Sequence, residues 1–258
     1  MKIVVLMKEV PDTYGDRKLS LETGLADRTA SDTVLDEIGE RALEVALSYA
    51  DKNPGTEVEV LSMAPADAAA TLRKGLAMGA SSAVHVTDKA LLGADLGLTA
   101  EVLAAAIQHI GYDLVIAGNQ STDGSGAVLP AMIAEWLGVP QISQLTSVEI
   151  ELDLITGQRA TDTGTMKVSA PLPAVISVTE RMPDARFPNF KGIMAAKKKP
   201  FETLTLEQLN VDPDKPEAAR SIIISVGEKP PRGAGVKISD EGDAGAKLAQ
   251  FLIENQLV

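Results

Sequence analysis

The sequence predicts an α/β fold: a doubly wound, mostly parallel sheet with an antiparallel hairpin added at its edge. Three observations lead there. Short continuous apolar runs alternate with helix-period segments through the first half of the chain. Aromatic residues are only 3% of the total, so Ala, Val, Leu and Ile must fill the core. Beyond Val148 the alternation changes to period two, as in a strand with one face in water.

The elements follow in order. Ile3 to Leu6 is a continuous apolar run, expected of a strand buried on both faces. A polar excursion occupies residues 12–33. Ile38, Ala42, Val45, Ala46 and Tyr49 then recur at helical spacing, and Asn53-Pro54-Gly55 ends that helix. Val58 to Leu61 is a second strand. Pro65 suits the first turn of the next helix, where its missing N–H costs nothing, and the helix runs through Leu72 and Leu76 to Gly79. Ala83 to Val86 is a third strand. Leu103, Ala106, Ile107 and Ile110 line a helix that Gly111 closes. Leu114 to Ala117, a fourth strand, opens into a glycine-bearing loop and a helix ending near Leu137-Gly138.

The rhythm then breaks. Val148 to Leu152 alternates by two, Thr156-Gly157 offers a turn, and Met166-Lys167-Val168 returns as the partner of an antiparallel hairpin or meander. Leu172 to Thr179 is a further apolar, strand-like run. Past Pro200, Leu204, Leu206 and Leu209 suggest a short turn or helix, and Ile222 to Ile224 a short strand. Pro230 to Gly235 cannot be helical and reads as an extended linker. Asp240 to Val258 reads as a terminal helix carrying Ala246, Leu248, Phe251 and Leu252; such an arm either docks on another chain or closes its own domain. The expected division is an α/β domain over residues 1–200 and a C-terminal extension over 201–258.

Composition excludes several function classes. No cysteine is present, which removes disulfides, thiolate metal sites and cysteine nucleophiles together. His85 and His109 are the only histidines, too few for a multi-histidine metal site. A net charge of -12 opposes non-specific nucleic-acid binding. No apolar run approaches the roughly 20 residues of a membrane span, and the N-terminus reads as a first strand, not a signal peptide. The expected location is the cytoplasm, with no membrane insertion.

Ligands of doubly wound sheets sit beyond the carboxyl ends of the strands. Three such ends carry suggestive residues: Lys8 to Pro11, Ser62 to Pro65, and Gly118 onward to Pro130. In the last, Gly124 and Gly126 leave room for a ligand, and the N–H groups of Gly124 to Val128 would open the following helix and favour an anion. The spacing is neither GxGxxG nor a Walker A loop, so a plain strand-to-helix turn remains the alternative. Asp123 fits as an N-cap. His85 reads as packed in an apolar strand, and His109 as a favourable charge at a helix C-terminus. Trp136, at helical spacing with Met132 and Ile133, reads as core. Asp36-Glu37 and Glu149/Glu151 read as solvated faces, and no carboxylate pair suggests acid/base work. The chain reads as a binder more than a catalyst.

The stretch Arg186-Phe187-Pro188-Asn189-Phe190-Lys191-Gly192 leads to Ile193-Met194-Ala195-Ala196-Lys197-Lys198-Lys199-Pro200. Aromatics beside prolines and a lysine triplet suit an exposed segment built for contact. With Met7-Lys8-Glu9-Val10-Pro11-Asp12, Leu76 to Ala80, Ala117-Gly118-Asn119-Gln120 and Leu172-Pro173-Ala174-Val175, it resembles the beta subunit of electron-transfer flavoproteins over nearly the whole chain. The resemblance implies an adenine-nucleotide alpha-hydrolase-like (Rossmann-like) fold that buries a structural AMP. It implies an alpha subunit that holds most of an FAD, with the C-terminal extension packing on that subunit. Electrons would come from acyl-CoA and related dehydrogenases and pass to a membrane quinone oxidoreductase. Members with a second FAD in place of AMP, which bifurcate electrons, are one alternative. A universal-stress-type nucleotide-binding protein, which shares the βαβα rhythm, is another.

By position, the resemblance places Leu6, Lys8, Asp36, Glu37, Ile38, Gly39 and Met63 around the nucleotide. It adds the run Asp123, Gly124, Ser125, Gly126, Ala127 and Val128, continuing through Leu129, Pro130, Ala131, Met132, Ile133 and Ala134. This run replaces an Asp-Asp-Asp-x-Asn-Gln-Thr-Gly segment of many members, leaving backbone N–H groups to hold the phosphate. Thr13 or Tyr14 corresponds to a residue that approaches the flavin's dimethylbenzene edge, and Tyr14 is the choice on chemistry. Asp184 to Met194 resembles the loop that docks dehydrogenases. Phe190 stands where a leucine usually anchors, and Arg186 keeps its place. Ile193, Met194, Lys197, Lys198 and Lys199 complete the expected docking set.

Overall fold

The computed structural model describes residues 1–215, 218 and 220–258. It comprises two compact units, Met1–Ile224 and Ser225–Val258.

The first unit opens with β1 (Lys2–Leu6), β2 (Glu9–Pro11), β3 (Thr33–Leu35) and α1 (Glu37–Ala50). Next come β4 (Glu57–Met63), α2 (Ala69–Met78), β5 (Ser82–Val86), α3 (Leu96–Ile110) and β6 (Leu114–Gly118). Then follow α4 (Leu129–Leu137), β7 (Gln141–Ile150), β8 (Leu154–Thr161), β9 (Gly164–Pro171) and β10 (Ala174–Val178). The unit is completed by α5 (Phe190–Ala196), β11 (Phe201–Leu204) and α6 (Leu206–Leu209). The main sheet has nine strands in the order β11-β5-β4-β1-β6-β10-β7-β8-β9. Every pairing from β11 to β7 is parallel, and β7-β8 and β8-β9 are antiparallel, as the sequence predicts.

Alternation along each strand sends side chains to opposite faces. Ile3, Val5 and Val60 meet Ala42, Leu43 and Ala46 of α1 and Leu72 and Leu76 of α2 on one side. Val4, Leu61 and Val84 meet Leu103, Ala106 and Ile107 of α3 and Ile133 of α4 on the other. Each fully buried leucine or isoleucine in these layers contributes about 1.5–3 kcal/mol. The central strands carry apolar residues in both layers, which is why they read as continuous runs.

Several expectations are corrected. Thr156-Gly157 is no turn: it lies inside β8, and the chain reverses at residues 151–153 and 162–163. A Cβ on Gly157 would sit 2.5 Å from the Ser147 carbonyl oxygen, beside a register shift between Leu145 and Ser147. The glycine is there for close backbone approach at a bulge. The polar excursion contains a small antiparallel pair, β2-β3. Ile222 to Ile224 form no strand and are exposed. Trp136 is 52% exposed, because α4 buries Pro130, Ile133 and Ala134 instead. Asp36 is buried, not solvated. The helix after the glycine loop begins at Leu129, with Val128 as its N-cap, so Asp123 does not cap it.

The second unit is irregular up to α7 (Ala244–Glu254), an amphipathic helix with no buried residue.

Candidate functional site

At the carboxyl ends of the parallel strands four segments come together as a candidate ligand cleft. Leu6 ends β1 and Met63 ends β4; both are half-buried against the same core layer as Leu129 and Met132 of α4. These side chains offer an apolar wall. Gly39, in the first turn of α1, lies against the end of β1, with the Leu6 carbonyl oxygen 3.7 Å from where a Cβ would stand, an ordinary contact distance.

The polar side of the cleft is organised by two carboxylates. Asp36 caps α1, accepting from the Ile38 N–H at 3.0 Å, while its second oxygen accepts from the Thr122 N–H and hydroxyl at 2.7 and 3.0 Å. One buried side chain therefore fixes the helix end to the loop after β6. Asp123 accepts from Lys8 Nζ at 2.7 Å and from the Gly124 N–H at 2.6 Å. Burial opposes the charge on Asp123, but its bonds to Lys8 and Ser121 outweigh that and hold the carboxyl below its ordinary value.

The loop itself is exposed from Gly124 to Val128. Ser125 and Ala127 stand at φ 51° and 55°, the left-handed region that costs a non-glycine residue about 1–3 kcal/mol and collects at ligand-holding loops. The Gly124 and Ser125 N–H groups are used within the loop, by Ser121 and Asp123. Among the described residues, the N–H groups of Gly126, Ala127 and Val128 have no partner, and α4 has no side-chain cap. Three free N–H donors in one loop fit a phosphate, and the apolar wall fits a purine ring.

Not every expected residue reaches the cleft. Ile133 and Ala134 are sealed in the core, as are Pro130 and Ile38. Glu37 is exposed and paired with Arg41, and Ala131 is exposed. Tyr14 is 99% exposed, its backbone N–H bonded to Asp12. Sequence reasoning missed Thr122, the partner of Asp36, and Asn119, whose side-chain oxygen is buried with no hydrogen-bond partner. A Ser-Thr pair immediately before Asp123 was the available signal.

The second cluster is the segment around α5. Gly192 seats this helix on α2: a Cβ there would come 2.3 Å from the Ala77 carbonyl oxygen. Asn189 caps α5 by accepting from the Gly192 N–H at 2.8 Å. Lys199 Nζ donates to the Leu76 and Ala80 carbonyls at 2.9 and 2.6 Å, closing the C-terminus of α2. Partial burial lowers the pKa of this lysine. Arg186 grips Glu44 of α1 through two 2.8 Å bonds and reaches Asp51 at 2.8 Å. Of the expected docking residues, Arg186 and Lys199 thus hold the segment in place. Phe187 at 91%, Phe190 at 78%, Ile193 and Met194 form its outward apolar face, with Lys197 and Lys198 exposed beside it.

Among the described residues no group of His, Asp and Glu could hold a metal ion, and no helix is long and apolar enough to cross a membrane. His85 is packed, with Nε2 2.9 Å from the Ala64 carbonyl oxygen.

The family profile described as "Electron transfer flavoprotein domain" matches residues 23–209. Electron transfer flavoprotein subunit beta of Mycobacterium tuberculosis is 46% identical over 99% of both chains, and that of Mycobacterium leprae is 46% identical over the same share. The subunit beta of Thermoanaerobacterium thermosaccharolyticum is 37% identical over 82% of this chain and 81% of its own. The chain therefore belongs to the electron transfer flavoprotein family, among its beta subunits.

Proposed function

We propose that this chain is the nucleotide-binding and docking half of an electron carrier, acting in the cytoplasm beside an alpha subunit. AMP lies in the cleft, its base against Leu6, Met63 and Met132 and its phosphate on the N–H groups of Gly126 to Val128, with Lys8 alongside. The flavin, held mainly by the alpha subunit, supplies the electron-accepting chemistry. This chain's part is to orient it, with Tyr14 as the side chain nearest its edge, and to bring donors within reach. The terminal unit, which buries nothing of its own, packs on the alpha subunit. Electrons arrive from acyl-CoA and related dehydrogenases and leave to a quinone oxidoreductase. Membership of the family takes the place of a universal-stress-type reading.

The observation that carries this reading is the exposed apolar face of α5, anchored from behind and free in front. Central aromatic anchors in an interface cost 2 kcal/mol or more when truncated, roughly a 30-fold loss. Phe190→Ala should slow flavin reduction by a partner dehydrogenase by about 10- to 30-fold in stopped-flow measurements, with AMP and FAD retained. Phe190→Leu should restore most of the rate. Loss of cofactor in Phe190→Ala would make the segment structural and remove its docking role.

A further inference from the structure

On the far flank of α1 the chain forms a groove of about 780 Å³. One wall is the helix face carrying Val45 and Tyr49, the other is the β7–β8 turn, and Met182 to Asp184 close one end. The volume is that of a pocket able to take several side chains. Its lining is apolar at depth, where Val45, Tyr49, Val148 and Ile150 are half-buried against the core. At the tip of the turn, Leu152 is 88% exposed with nothing packed on it among the described residues.

The charges around the groove do not balance. Glu44 is held by Arg186, and Asp184 by Arg41, whose remaining hydrogen bonds go to Glu37 and the Met182 carbonyl. Glu149 near the end of β7, which accepts from the Thr156 hydroxyl, and Glu151 and Asp153 in the turn have no ion-pair partner among the described residues. Lys52 is the one cation opposite them that is not engaged in an ion pair among the described residues. The groove thus combines an apolar floor with an acidic rim, and no metal-holding group lies among the described residues. What complements it is a protein segment with an apolar anchor flanked by lysine or arginine.

We infer that this groove receives a basic, apolar-anchored segment of the alpha subunit, giving the two chains a contact separate from the docking helix. The inference rests on the reading of the chain as one half of a heterodimer. Opposite charges on the two surfaces, acidic at the groove and lysine-bearing at α5, would keep the two partners from exchanging places.

The test uses the purified heterodimer. A zero-length carbodiimide crosslinker, read by mass spectrometry, should join Glu151 or Asp153 to a lysine of the alpha subunit. The double variant Glu151→Lys/Asp153→Lys should associate at least about 10-fold more weakly, and its affinity should respond less to salt. Its own urea midpoint should stay at the wild-type value, and so should reduction by a dehydrogenase at saturating alpha subunit. The same charge change at Glu202 and Glu207, on the opposite edge of the sheet, should leave association unchanged. Unchanged affinity in the groove variant would overturn the inference. So would crosslinks to an added dehydrogenase in place of the alpha subunit. Neither outcome touches the docking role of α5, which Phe190→Ala reads separately.

Discussion

Arg186 shows how much one side chain decides. In the sequence it sits in a contact segment and reads as a docking group, yet its guanidinium is spent on Glu44 and Asp51. Partial burial disfavours the Glu44 carboxylate, but the bonds from Arg186 outweigh this and hold it below its ordinary 4.5. A depressed carboxylate pKa contributes stability that is present above the unfolded value and is lost as pH falls through the folded one. The advantage in urea midpoint of the wild type over Glu44→Gln should therefore be constant above about pH 5 and shrink below about pH 4. A constant difference down to pH 3 would show that the pair adds nothing. The same lesson holds for Lys199, which closes α2 while its two neighbours face outward. A lysine triplet in sequence does not say which of its members turns inward; the i, i+1 spacing and the carbonyls of another helix decide it. Asp36 and Trp136 reversed their expected environments for related reasons. A cap that also reaches a distant loop is buried, and a tryptophan at core spacing can fall just outside the stripe that α4 buries.

At the scale of elements, the contact between α5 and α2 sets the angle at which Phe190 is presented. Gly192 permits that contact because the opposing atom is a backbone oxygen, which cannot turn aside. Gly192→Ala should cost about 1–3 kcal/mol and expose the amides of α5 to faster hydrogen exchange, with electron transfer from the dehydrogenase reduced in step. Wild-type exchange in the variant would mean that α5 is held by its flanks alone. The strands and helices up to Leu137 were legible because a sheet covered on both faces writes continuous apolar runs between 3.6-period segments. The added strands were less so. β7 starts at Gln141, well before the alternating pattern at Val148, because its first half pairs with β10 and buries only Ile142 and Leu145. Gly157 looks like a turn residue until the bulge opposite it is seen. β11 has too few apolar residues to announce itself, yet it pairs with β5 through all four of its positions. In the cleft, the strand ends and glycine loop were legible, but the shift of the helix start to Leu129 was not. Left-handed Ser125 and Ala127 have no sequence signature of the kind glycine gives.

For the whole molecule, the sheet supplies a frame with the proposed nucleotide site at the strand ends and the proposed docking helix, α5, against α2. α1 links the two, holding Thr122 through its cap and Arg186 through its flank. The central claim is that this frame carries AMP while an alpha subunit carries the flavin. The most direct test is native mass spectrometry of the purified heterodimer, followed by identification of the released ligands. The account predicts one AMP and one FAD for each pair of subunits. Two flavins and no AMP would contradict it and assign the cleft to a second FAD.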